Sequence, residues 1–275
     1  MKKFVIIFLL LFLCTAFYFL AHNPFAQNLL KDRVLLIVIA NNYIIPDEIS
    51  DFYNQNEKFI NPILSFIFKT SRENLYQLTP EEIAVYHAEE FLIDRYKKAA
   101  ESYGKIVVLR NTEATYQNFK ETLIDLSDNE NKVDIFLNLH GSKNTILFYD
   151  DLKKPPYTGE SIQKSRILND LKKESLNIGF VYQTLCYGSY NLNFWIDIGA
   201  RVVNGAKDGN DFVIVSPEIF LKEWSKGRTF KEAVEKGYRY ERSIVKALNF
   251  ILRDSFLDPD SSQMIFMGNV NYKAK

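Results

Sequence analysis

Hydrophobic positions along the chain fall into short unbroken runs that alternate with amphipathic stretches. Arg33-Val-Leu-Leu-Ile-Val-Ile-Ala40 is continuous, apolar and rich in β-branched residues, the pattern of a central parallel strand buried on both faces. Residues 45–80 are less regular, broken by Pro46, Pro62 and Pro80. Thr79-Pro80-Glu81-Glu82 then supplies a cap, a first-turn proline and acidic residues, and predicts a helix to about Glu101. Ile83, Tyr86, His87, Phe91 and Tyr96 lie along it largely at helical spacing.

From there strands and helices alternate. Lys105–Leu109 reads as a strand, and Thr115–Leu126 as a helix with Phe119, Leu123 and Leu126 on one stripe. Val133–His140 is the next strand, followed by a longer connection containing Pro155-Pro156-Tyr-Thr-Gly159. A short helix over Ser165–Glu174 leads into the apolar run Ile178–Cys186. Arg201–Gly205 reads as a strand, Thr229–Arg253 as a helix and Met264–Met267 as a last strand. Repeated strand–helix–strand order predicts an α/β fold, a doubly wound and mostly parallel sheet with helices on both faces. A single soluble domain over residues 33–275 is the simplest division.

The N-terminus does not fit that pattern. Met1-Lys2-Lys3 precedes an apolar run from Phe4 to Ala21 interrupted only by Thr15. Its length lies between that of a signal peptide and that of a membrane-spanning helix. A cut after Ala21 would put bulky Phe19 three residues back, and a cut after Ala26 would put Pro24 there. Residues 1–25 are therefore expected to be an uncleaved signal anchor rather than a removed signal peptide. The membrane is then engaged through residues 4–21, and Lys2 and Lys3 hold the short end inside. The main domain would be extracytoplasmic, periplasmic or extracellular, and secreted if the signal is cleaved.

Composition changes the picture in two places. Lysine plus arginine and aspartate plus glutamate both number 34, which argues against a nucleic-acid partner. Of the two cysteines, Cys14 lies in the apolar run, leaving Cys186 alone in the predicted domain. A single cysteine forms no internal disulfide, so Cys186 is either a buried hydrophobe or a reactive thiol.

Two of the predicted strands end in reactive side chains. Val133-Asp-Ile-Phe-Leu-Asn-Leu-His140-Gly141 and Ile178-Gly-Phe-Val-Tyr-Gln-Thr-Leu-Cys186-Tyr-Gly188 each deliver a titratable group where the apolar run stops. In open α/β sheets, chemistry gathers at the carboxyl ends of parallel strands. Cysteine attacks as a thiolate and needs a base or a positive field to form it, and histidine suits that role near neutral pH. His87 sits within a predicted amphipathic helix, which leaves His140 as the stronger candidate. Gly141 allows close backbone approach, and its N–H with that of Cys186 could hold an oxyanion. No phosphate-binding glycine loop and no His/Cys zinc cluster is present, so no cofactor or metal is expected.

These paired blocks resemble the caspase, legumain and gingipain clan of cysteine peptidases, in which one apolar run ends in His-Gly and a second in the nucleophilic cysteine. Cys186-Tyr187-Gly188 keeps the glycine two residues after the cysteine, with the histidine upstream near the about 50 residues of the caspase signature. The likeness extends weakly over residues 100–240, through 112–141, Gly199–Ala206 and Phe220–Gly237. It implies a caspase-like fold, with His140 as base, Cys186 as nucleophile, and Gly141 and Cys186 as oxyanion donors. The substrate would be a peptide or protein, hydrolysed through an acyl-enzyme. Leu185 departs from the small residue usual before the cysteine, and Thr184 from the acidic or amide residue common before that. The alternative is a catalytically inactive caspase-like binding or scaffold module. Asn138 is a candidate for orienting His140, and Asp208 and Asp211 are candidates for receiving a basic substrate side chain.

Overall fold

The computed structural model describes residues 30–40, 92–128, 131–149, 159–210, 215–252, 260 and 263–274. The apolar run over residues 4–21, the expected helix start at Thr79, His87 and Asp211 lie outside them. Among the described residues no helix is long and apolar enough to cross a membrane.

The strands are β1 (Leu30–Ala40), β2 (Tyr103–Arg110), β3 (Lys132–Gly141), β4 (Thr145–Tyr149), β5 (Gly159–Gln163), β6 (Ile178–Gln183), β7 (Val202–Ala206) and β8 (Met264–Gly268). The main path runs β2-β1-β3-β6-β7-β8, parallel throughout except for β8, which pairs antiparallel with β7. This is the mostly parallel α/β sheet that the alternating pattern predicts. Strands β1, β3 and β6 are buried on both faces, which is why they read as unbroken apolar runs rather than alternating ones.

Helices cover both faces. Helices α2 (Tyr116–Asp128), α3 (Lys164–Leu171) and α4 (Leu192–Asp197) pack with Leu36, Val38, Ile135, Leu137 and Val203 on one side. On the other side Leu35, Ile37, Phe136, Phe180 and Tyr182 meet α1 (residues 92–99), α5 (Ser216–Ser225) and α6 (Phe230–Leu252). The stripe Phe119, Leu123 and Leu126 on α2 faces the first core, as its spacing predicts.

Two features differ from the sequence expectation. The long connection after His140 carries an antiparallel hairpin, β4–β5, which extends β3 beyond its parallel partners. Its signal is the alternation of β4, where Ile146 and Phe148 are buried between half-buried neighbours. The likeness over Phe220–Gly237 implies one helical segment, whereas the structure has two. Gly227 stops the first at a φ of 78°. Thr229 and Glu232 start the second as a reciprocal capping box, with Glu232 N–H on Thr229 Oγ1 and Thr229 N–H on Glu232 Oε2.

At the amino ends of the strands lies a buried ion pair. Arg33 of β1 donates through Nε to Asp134 Oδ2 at 2.8 Å and through Nη2 to Oδ1. Tyr103 Oη donates to Asp134 Oδ2 at 2.8 Å, and Phe180 N–H to Oδ1 at 3.2 Å. Arg33 also reaches Tyr272 Oη at 2.9 Å and lies over the rings of Trp224 and Tyr272. Burial pulls the Arg33 guanidinium down, but Asp134 beside it holds it above its ordinary value. Gly179 makes the room: a Cβ there would fall 2.2 Å from both Arg33 Nη2 and Asp134 Oδ1. Asp134→Ala strands the guanidinium in the core and is expected to cost about 3–5 kcal/mol. The check is a fall in the urea midpoint with an unchanged denaturant slope.

Candidate active site

The carboxyl ends of β3 and β6 bring the two predicted segments together. These strands are neighbours in parallel register, with Leu137 opposite Gln183. His140 and Cys186 each stand three residues beyond that rung. Thr184 N–H donates to the Leu137 main-chain oxygen at 3.0 Å, and Thr184 Oγ1 to Asn138 Oδ1 at 3.0 Å. Beyond that pair the segments stay in contact, because a Cβ built on Gly141 would lie 3.1 Å from Leu185 Cβ and 3.2 Å from the Cys186 main-chain oxygen. A side chain at 141 would press into the loop that carries Cys186, which is the physical need for glycine there.

His140 is exposed at the end of β3, and Cys186 is half-buried with a free thiol. Leu185 between Thr184 and Cys186 has 0% exposure and joins the core with Leu137 and Leu139. Its bulk is directed into the protein and leaves the approach to Cys186 unobstructed by that side chain. Asn138 spends its oxygen on Thr184, while its Nδ2 is buried without a hydrogen-bond partner.

Main-chain donors also converge here. Ser142 N–H donates to the Thr145 main-chain oxygen at 2.9 Å, which makes 142–145 a hydrogen-bonded pair of the hairpin. Pairs alternate along an antiparallel ladder, so Gly141–Ile146 is a non-bonded pair and the Gly141 N–H turns from β4 toward the β6 side. The Cys186 N–H donates no hydrogen bond among the described residues. On the thiol side, the Asn210 N–H points at Cys186 Sγ from 3.3 Å. Asn210 Nδ2 fixes that loop by donating to the Thr184 main-chain oxygen at 2.6 Å.

A buried amide network holds the loop beneath the cysteine. Strands β6 and β7 pair at Phe180–Val202 and Val181–Val203, and then diverge. The Asn204 amide bridges the gap like a peptide group, accepting from the Gln183 N–H at 3.3 Å and donating to its main-chain oxygen at 3.2 Å. Gln183 Nε2 donates to the Gly188 main-chain oxygen, and its Oε1 accepts from Asn191 Nδ2 and Trp195 Nε1. Gly205 lets the loop lie on β7, since a Cβ there would sit 2.2 Å from the Gly188 carbonyl carbon. Tyr187, next to the cysteine, takes the left-handed conformation at φ 55°, a strained state that bulky residues adopt when their surroundings impose it.

Sequence reasoning named His140, Gly141 and Cys186 and missed Gln183, Asn204 and Asn210. The available signal was an amide within or ending an apolar strand, as in Val202-Val203-Asn204 and Tyr182-Gln183. Of the two acidic pocket candidates, Asp208 is exposed and uses its main-chain oxygen to accept from the Tyr187 N–H at 2.7 Å. Among the described residues no group of three His, Cys, Asp or Glu side chains could hold a metal ion.

No protein-family model matches the sequence, and no curated protein matches it. Among solved structures, similar folds include a secreted C11 cysteine protease from Bacteroides thetaiotaomicron in complex with an irreversible peptide inhibitor, at 9% identity and a TM-score of 0.44. That alignment covers 78% of this chain and 59% of the protease. A protein from Geobacter sulfurreducens aligns at 12% identity and a TM-score of 0.37, over 68% of this chain and 86% of that one. Raptor from Chaetomium thermophilum aligns at 7% identity and a TM-score of 0.39, over 80% of this chain and 20% of its own. All three scores lie below 0.5, so the likeness assigns this chain neither a family nor an activity.

Replacing Asn210 by Ala removes the bond to Thr184 that aims the Asn210 N–H at the sulfur. Alkylation of Cys186 by iodoacetamide at neutral pH is expected to slow by about tenfold, the worth of one charge-assisted hydrogen bond to a thiolate. Pseudo-first-order rates measured by intact-mass spectrometry would show it.

Proposed function

We propose that this chain is an exported cysteine peptidase of the caspase, legumain and gingipain type, with Cys186 as nucleophile and His140 as general base. The observation that carries this reading is the contact of Gly141 with the Leu185–Cys186 backbone, across the carboxyl ends of two adjacent parallel strands. In the proposed reaction His140 takes the thiol proton and the Cys186 thiolate attacks the scissile carbonyl carbon. The N–H groups of Gly141 and Cys186 hold the resulting oxyanion, worth about 2.7–4 kcal/mol per donor in comparable sites. His140 returns the proton to the leaving amine, and water hydrolyses the remaining thioester.

The Asn210 N–H directed at Cys186 Sγ from 3.3 Å supports the nucleophile role, because it fixes the sulfur at the open end of the β6 loop. The departure at Leu185, which motivated an inactive scaffold, loses its steric basis once that side chain lies in the core. Export rests on the apolar run over residues 4–21 behind Lys2 and Lys3, acting as an anchor or as a removed signal.

A peptidyl acyloxymethyl ketone, which alkylates only an activated cysteine, is expected to label wild-type protein at Cys186. Labelling should vanish in Cys186→Ala and fall at least about 100-fold in His140→Ala, in line with the usual contribution of a general base. Peptide mapping by mass spectrometry locates the adduct. Wild-type protein that takes no label and cleaves no member of a peptide library would sink the proposal.

A further inference from the structure

The amino edge of the sheet, opposite the candidate site, carries a row of charge that the reaction above does not use. Each parallel strand begins beside a cation: Lys31 on β1, Lys105 on β2, Lys132 on β3, Lys172 and Lys173 in the turn into β6, and Arg201 directly before β7. The register sets them side by side, with Val34 opposite Lys105, Arg33 opposite Lys132 and Val133 opposite Ile178. Lys132 is half-buried and the others are exposed. None of them is in an ion pair among the described residues. Lys31, Lys105 and Lys132 stand at strand starts, where no helix dipole favours a cation.

Neighbouring strands lie about 4.8 Å apart, so adjacent charges of the row fall well within one Debye length of each other. Like charges at that spacing repel, and an anionic surface laid along the edge replaces the repulsion with attraction. Asp32, Glu101, Asp128, Glu174 and Asp197 are exposed carboxylates of the same edge and offset part of the charge. The turn between α5 and α6 and the C-terminal segment bridged to it at Thr229 and Lys273 restore the surplus. There, and at the end of α1, Lys97, Lys98, Lys226, Arg228 and Lys273 stand against Glu223 and Glu232.

A second observation comes from the length of the chain before β1. Residues 22–29 join the apolar run that ends at Ala21 to Leu30, the first residue of β1. A segment of that length reaches at most about 30 Å. An anchor over residues 4–21 therefore keeps the amino edge close to the lipid surface. The tether allows many tilts, and the row of cations selects the one in which this edge meets the headgroups.

We propose that the amino edge of the sheet is a docking face for anionic phospholipid headgroups, which turns the carboxyl end away from the bilayer. Strand β3 is 10 residues long, so Cys186 stands about 30 Å from the headgroups and meets its substrates in solution. The proposal rests on the anchor reading of residues 4–21 and is independent of the peptidase reading.

The test uses the full chain reconstituted into vesicles of phosphatidylcholine, alone or mixed with phosphatidylglycerol. A membrane-impermeant acetylating ester reports lysine exposure, read by peptide mass mapping relative to the exposed Lys207 at the carboxyl end. Relative labelling of Lys105, Lys132, Lys172 and Lys173 is expected to fall at least about fivefold in the mixed vesicles, the weight of one cation at an anionic surface. Salt at about 1 M, where the Debye length is about 3 Å, should abolish the difference. K172E/K173E should restore the labelling of Lys105 and Lys132 at low salt. Equal ratios in the two lipids, or protection of Lys143 and Lys207 instead, overturn the docking face. The mass of the chain recovered from the membrane fraction tests the anchor separately. If residues 1–21 have been removed, the anchor reading fails by itself and co-sedimentation of the shortened chain with the same vesicles decides. Binding that requires phosphatidylglycerol and weakens at least about fivefold in K172E/K173E supports the face. No binding, equal binding to both lipids, or binding that K172E/K173E leaves unchanged overturns it.

Discussion

The Arg33–Asp134 pair is the constraint around which the sheet is assembled. It joins β1 to β3, takes a phenol from β2 and a main-chain N–H from β6, and places its guanidinium against Trp224 of α5 and Tyr272 near the C-terminus. A buried pair of this kind contributes little net stability, because desolvating two ions offsets most of their attraction. Its effect is on specificity. Every acceptor and donor is met in only one strand order and one register, and a slip of one residue would turn β1 and β3 inside out. Gly179, which leaves just enough room for the pair, ties β6 to the same requirement.

The two ends of the sheet divide their labour. Asp134 and His140 are on the same strand, about 20 Å apart at about 3.3 Å per residue. The amino end holds the ion pair and closes over it with aromatic rings. At the carboxyl end the strands diverge, and side-chain amides replace the ladder: Asn204 bridges β6 to β7, and Gln183 carries the loop that presents Cys186. Where the strands splay, the amides satisfy the main-chain groups that would otherwise be left bare.

How much of this could be read from the sequence depended on range. Unbroken apolar runs gave β1, β3 and β6 because burial on both faces imposes a local pattern. That His140 ends one strand and Cys186 follows another was equally local. That those strands are neighbours was not, since the intervening hairpin and α3 hide the adjacency and only the three-dimensional register reveals it. The hairpin itself was missed because its half-buried alternation spans just Thr145–Tyr149. Asn204 and Gln183 look like blemishes in hydrophobic segments until the gap they fill is known. Asp134 belongs with them: a carboxylate in an apolar run has no meaning until Arg33 stands opposite.

The position of the hairpin has a further consequence. Strand β3 changes partners along its length, pairing with β6 through Leu137 and with β4 at His140 and Gly141. The residues proposed for chemistry therefore stand at a fork, where a rigid sheet gives way to a two-stranded arm of its own. Substitutions along β4 and β5 could therefore alter what surrounds the site while the register that sets His140 beside the Cys186 loop stays as it is.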